Sequence, residues 1–137
     1  MTATNHAITG ALIGLIVGQP LIALPVAFLS HFVCDAIPHF DPSMPTEQWL
    51  RTKTFIRLLV SDASLCLLLV SVLAVRHPHH WLLASVCAFL ATSPDIYWIR
   101  RFILTRSGRT WEPNLFERFA VKIQWYTSPQ AAIVEVA

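Results

Sequence analysis

The chain has 137 residues, enough for one domain and too few for two ordinary ones. It is 55% hydrophobic and 13% charged, with a mean hydropathy of +0.55, whereas soluble domains carry about 25% charged residues, so the composition excludes an ordinary soluble domain and points to a membrane protein. The formal net charge is +2 and no long basic tract is interleaved with aromatics, which argues against a nucleic-acid partner.

Taken in chain order, Met1-Thr2-Ala3-Thr4-Asn5-His6 lacks the basic start of a secretory signal, and no clear cleavage site follows. The first apolar segment is therefore expected to stay in the mature protein. That segment, residues 5–18, carries Gly10, Gly14 and Gly18 on one helical stripe. Such a stripe admits another helix at close range, from the same chain or from a second copy in an oligomer. Gln19-Pro20 reads as a turn, and Pro20 suits the first turn of a second apolar helix over 20–37. Pro25 is expected to kink that helix. Residues 5–37 thus read as a helical hairpin, short for full crossings of about 20 residues each.

Residues 38–53 are polar and Pro-containing, a loop. A helical pair follows over 54–101, its two members joined by Arg76-His77-Pro78-His79-His80. The first member carries Asp62 and the second Asp95, with Tyr97, Trp98, Arg100 and Arg101 marking an interface. Residues 102–130 mix Trp111, Phe116, Phe119, Ile123 and Trp125 with Glu117, Arg118 and Lys122, the pattern of an amphipathic helix lying on a surface. An apolar tail, 131–137, carries Glu135. Cys34, Cys66 and Cys87 are odd in number and widely spaced, so buried free thiols are expected. The expected fold is all-α: a polytopic membrane bundle of four apolar helices with a C-terminal interfacial amphipathic helix.

One run stands out: Ser30-His31-Phe32-Val33-Cys34-Asp35-Ala36-Ile37-Pro38-His39-Phe40-Asp41. His31 and Asp35 are four residues apart and share a helix face. Pro38 ends the helix and lets His39 and Asp41 fold back. The basic residues fall at Arg51, Lys53 and Arg57 and again from Arg100 onward, which the positive-inside rule places in the cytoplasm. That topology puts His6, His31, Asp35, Asp62 and Asp95 at a similar depth near the cytoplasmic interface. Imidazoles and carboxylates converging in a low-dielectric site need a counter-charge, and a divalent cation supplies one. Mixed nitrogen and oxygen donors suit Zn, Mn or Fe. His31, Asp35, His39 and Asp95 are the expected ligands, with His6 and Asp62 as ligand or general base. A site at that depth meets a membrane lipid or a lipid-linked phosphate ester as substrate. The bland alternative is a hydrogen-bonded His31–Asp35 pair that ties helices together in a non-catalytic subunit. The His77, His79 and His80 cluster, on the opposite side with no carboxylate nearby, reads as solvated turn residues.

Asn5-His6 before the Gly-rich helix, Ser30-His31-x-x-x-Asp35 and Ser93-Pro94-Asp95-Ile96 resemble the bacterial membrane-bound, metal-dependent hydrolase family. The resemblance implies a helical protein of the bacterial inner membrane with a metal centre. By match, its ligands would be His6, His31, Asp35 and Asp95.

Overall fold

The computed structural model describes residues 1–42, 44–125, 127–131 and 133. The described residues are all-helical, with no strand and one isolated bridge between His39 and Thr127. Glu135 and the rest of the apolar tail beyond residue 133 lie outside them.

Helix α1 spans Ala3–Val17. Thr2 caps it by accepting the Asn5 N–H on its side chain, and Gly18 closes it at φ 64°, a left-handed angle that suits glycine. Helix α2, Pro20–Ala36, starts on Pro20 and continues unbroken through Pro25. A short α3, Thr46–Trp49, interrupts the polar loop. Helix α4, Lys53–Arg76, is 24 residues long and is capped by the Thr52 hydroxyl. Helix α5, Trp81–Thr92, passes through one tight 3-10 turn, Ser93–Asp95, into α6, Ile96–Arg106. The helical path therefore continues past Ile99, where an interface was expected. Helix α7, Leu115–Ile123, begins with a reciprocal cap between Asn114 and Glu117.

Helix α5 is the centre of the bundle, packed against α1 and α2. The contact is made by small residues. Ala7, Ala11, Ala23, Ala27, Ala84, Cys87, Ala88 and Ala91 are all buried. At Gly10 a Cβ would stand 2.3 Å from the Cys87 carbonyl oxygen, and at Gly14 one would stand 2.7 Å from the Ala84 Cα. The first two glycines of the stripe are thus used inside the chain, while Gly18 faces open space. Large apolar side chains point the other way: Ile16, Leu21, Leu67 and Val75 are each more than two-thirds exposed, at 81%, 83%, 71% and 78%. Two stretches, Lys53–Arg76 and Trp81–Arg106, are long and apolar enough to cross a membrane. Helices α1 and α2 are apolar but shorter, at 15 and 17 residues. Cys34, Cys66 and Cys87 are free thiols.

Candidate metal centre

Three parts of the chain meet at one end of α5. His6 sits in the opening turns of α1, His31 and Asp35 in the closing turns of α2, and Asp95 at the end of the 3-10 turn. The close α1–α5 approach at Gly10 and Gly14 draws the start of α1 toward that turn. The His6 and His31 rings stack with centroids 4.1 Å apart. Both are fully buried, as is Asp35, while the Asp95 carboxylate keeps 19% of its surface.

The hydrogen bonds fix the tautomer of His31. Its Nδ1 lies 2.8 Å from the carbonyl oxygen of Ala91, which only accepts, so Nδ1 carries a proton. In a neutral ring Nε2 then bears a lone pair. That atom lies 3.2 Å from Asp35 Oδ2 and 3.8 Å from Asp95 Oδ1, yet it has no partner in hydrogen-bond geometry among the described residues. Three acceptors thus face one another in a buried space. His6 Nε2 is 3.1 Å from Asp35 Oδ1 and 3.8 Å from Asp95 Oδ2, and its buried Nδ1 is without a partner.

The Ala91 carbonyl is free for this use because of the local sequence. Pro94 has no N–H, and the 3-10 turn replaces i+4 bonds by i+3 bonds. Carbonyls of the last α5 turn lose their usual donors. Leu90 O takes the Ser93 hydroxyl, and Ala91 O takes His31. Asp95 occupies the N-cap position of α6 but makes no capping bond, so its carboxylate is left for the cluster.

The donor set fits a transition-metal ion. One atom each from His6, His31 and Asp95 lies within 4.8 Å of the others. In a tetrahedral site with bonds of about 2.0–2.1 Å, neighbouring ligand atoms are about 3.3–3.4 Å apart. Each histidine Nε2 lies 3.8 Å from one Asp95 oxygen, His6 from Oδ2 and His31 from Oδ1, so the carboxylate sits between the two rings. His31 already donates its far nitrogen to a backbone carbonyl, as metal-bound histidines commonly do.

Asp35 is held differently. Its Oδ1 accepts from the Met1 amino group at 3.1 Å and lies 3.1 Å from His6 Nε2, and its Oδ2 accepts from Gln124 at 2.9 Å. Asp62 lies outside the cluster and caps α1: its oxygens accept the N–H groups of Ala3 and Thr4, at 2.8 and 2.9 Å, and the Thr4 hydroxyl. His39 is buried below α2 and donates from Nδ1 to Ile37 O at 2.9 Å, apart from the two stacked rings. Asp41 accepts from the Thr127 hydroxyl at 3.2 Å. His77, His79 and His80 are exposed in their turn.

A cavity of about 520 Å³ opens beside the cluster, with Asp95, Asp62, His39, Gln124 and Arg101 among its lining residues. Two of these were not singled out from sequence as site residues. Arg101 has a readable signal, Trp98 three residues earlier on the same helix face, with its ring centroid 5.2 Å from the guanidinium. Gln124 has none, because its value depends on where α7 folds back.

No protein-family model, no curated protein and no solved structure matches the chain. What the structure defines by itself is a class: an all-helical chain with two helices able to cross a membrane and a buried His6/His31/Asp95 group able to hold a metal ion.

Proposed function

We propose that this protein is an integral membrane, metal-dependent hydrolase of the bacterial cytoplasmic membrane, acting at the cytoplasmic face on a lipid or lipid-linked phosphate ester. The observation that carries the reading is the buried His31 Nε2, which has no donor in hydrogen-bond geometry among the described residues and faces the Asp95 carboxylate at 3.8 Å, while Asp35 beside it is already held by the Met1 amino group and Gln124. Such an arrangement is unfavourable without a cation, and an open cavity lies alongside it.

The outward display of large apolar side chains over a core of small residues supports lipid as the solvent. At 24 residues α4 is about 36 Å long, enough for a hydrocarbon core of about 30 Å. The basic residues Arg51 and Lys53 stand at the start of α4 and in the turn before it, and Arg100 and Arg101 stand on α6, all toward the Asp95 end of the bundle, which favours the cytoplasmic orientation.

In this reading His6, His31 and Asp95 hold the ion, and Zn, Mn or Fe suits their donor types. Bound there, the ion supplies positive charge to a phosphoryl oxygen and makes water at the site more acidic. Ala91 holds the His31 ring in one tautomer, and Gln124 holds Asp35 against both rings. Asp95 is the member open to the cavity, so its carboxylate is the one that meets substrate.

A second reading has its own support. Asp35 is held by partners at both ends of the chain, Met1 and His6 at one and Gln124 at the other, which is how a helix-tying residue looks. A non-catalytic subunit would use the cluster this way, with His31 as an imidazolium or with a structural metal. Elemental analysis of the purified full chain, together with phosphate release from lipid phosphomonoesters, separates the two. The hydrolase binds close to one transition metal per chain and turns over, and Asp95→Asn loses both while keeping its helix content. Wild-type protein that holds no metal and cleaves no phosphate ester would leave the structural reading in its place.

A further inference from the structure

The cavity has a second charged feature away from the histidines. Arg101, on α6, is 9% exposed, and its guanidinium lies 4.1 Å from the Trp111 ring centroid and 5.2 Å from that of Trp98. Its Nε is buried without a partner among the described residues. Its anionic partner among the described residues is Glu47, at 2.6 Å, whose own side chain is 56% exposed. An ion pair with a solvated partner is worth little and exchanges readily. The cavity that Arg101 and Asp95 line also carries Trp49, Phe55, Leu58, Leu59, Ile99 and Phe102, beside the polar Asp41, Asp62 and Gln124.

We infer that Arg101 forms an anion subsite in this cavity, and that its ligand is an amphiphile with a phosphoryl head and an apolar tail. The inference rests on the hydrolase reading for the choice of reaction, but the binding it describes stands without turnover. Arg101 comes six positions after Asp95, about 9 Å along the helix. A phosphoryl group presents three oxygens on different sides, so it can face the arginine fork and the His6/His31/Asp95 group together. The aromatic and aliphatic wall takes the tail. Glu47 occupies the arginine until the anion displaces it, which makes the short helix α3 a weak internal competitor.

The test is equilibrium binding to the full-length protein in neutral detergent, read by tryptophan fluorescence from Trp49 and Trp98 on the cavity wall. The probes are dioctanoyl phosphatidic acid, dioctanoylglycerol and inorganic phosphate, each titrated with and without a chelator. Phosphatidic acid is expected to bind at least about tenfold tighter than either other probe. Arg101→Gln removes that preference, Arg101→Lys restores part of it, and Glu47→Gln tightens phosphatidic acid binding several-fold. The last result is one that a merely damaged fold would not give, so it carries the test if Arg101→Gln fails to fold. Equal binding of phosphatidic acid and dioctanoylglycerol, or of phosphatidic acid and inorganic phosphate, overturns the proposal. So does a Glu47→Gln protein that binds more weakly than wild type. An Arg101-dependent preference that persists in chelator, with no hydrolysis found, sinks the hydrolase reading and leaves the subsite standing.

Discussion

The Nδ1 of His31 donates to the carbonyl oxygen of Ala91 at 2.8 Å, so the last turn of α5 sets the proton position of a ring carried by α2. This turns the opposite nitrogen, Nε2, toward Asp35 and Asp95. The bond exists because Pro94 and the 3-10 turn disturb the normal pairing at the end of α5.

His31→Ala should therefore lose the metal without losing the helices. Removing one of three ligands costs more than the tenfold to hundredfold in affinity typical of an outer-shell change, so dialysed variant should retain less than about a tenth of the wild-type content. Elemental analysis and far-UV circular dichroism measure the two halves of the statement. X-ray absorption of the wild type should place nitrogen and oxygen scatterers at about 2.0–2.2 Å. Equal metal in wild type and variant would remove His31 from the site.

The close approach of α1 and α5 predicts a sharp position dependence for alanine along the glycine stripe. Gly10→Ala puts a Cβ 2.3 Å from a backbone oxygen and 2.7 Å from the Ala91 Cβ, so the helices must separate. That should cost about 1–3 kcal/mol or block folding outright. Gly18→Ala meets no atom but must adopt φ 64°, so it should cost only about 1 kcal/mol. Thermal unfolding in detergent ranks the two, and a milder effect at Gly10 than at Gly18 would contradict the packing described.

Much of this arrangement was readable in the residues, and for identifiable reasons. Pro20 marks the start of α2 because its backbone chemistry is local. The i, i+4 pair His31 and Asp35 shares a face by helix geometry alone, and counting rise along each helix put His6 and Asp95 at the same depth. What could not be read depends on which helix lies beside which. Asp62 looked like a mid-membrane acid, but α4 runs beside the start of α1, whose unpaired N–H groups take both oxygens. His39 looked able to fold back onto His31, yet its bond to Ile37 and its bridge to Thr127 hold it toward the C-terminal segment. The continuation of helix from Arg101 to Arg106 was hidden by Arg100 and Arg101, which read as an interface closing the apolar segment, while Pro94 tightens one turn without ending the helical path.

Acid sensitivity is expected at the start of α7. Burial alone would raise the Glu117 carboxyl, but the Arg100 guanidinium, at 2.6 and 2.9 Å, and the Asn114 N–H, at 2.8 Å, override it and hold the group below its ordinary value. A carboxyl lowered by folding adds stability that is complete above its unfolded value and disappears as pH falls through the folded one. The thermal midpoint should hold between pH 7 and about 5, then drop below about 4.3, the ordinary glutamate value. Glu117→Gln should lower the midpoint at pH 7, by about 1 kcal/mol of stability since Arg100 is half exposed, and should flatten the acid limb. A wild-type-like acid limb in the variant would show that Glu117 does not titrate with folding.

Asp62 provides the sharpest separation between holding the fold and doing chemistry. It accepts two of the first N–H groups of α1, where the helix carries its positive end, and so it anchors the helix that carries His6. Asp62→Asn retains one carbonyl oxygen as acceptor, and Asp62→Ala retains none. If anchoring is its role, stability should fall in the order wild type, Asn, Ala, by about 1–2 kcal/mol at the last step. Metal content should stay close to that of wild type in both, because no ligand atom has been removed. Phosphate release should follow the folded fraction, and lowering the assay temperature should recover it. A general base behaves otherwise: Asp62→Asn would keep its melting point and its metal and still lose turnover by about a hundredfold or more at every temperature. That second pattern would return Asp62 to the catalytic machinery and assign α1 a different anchor.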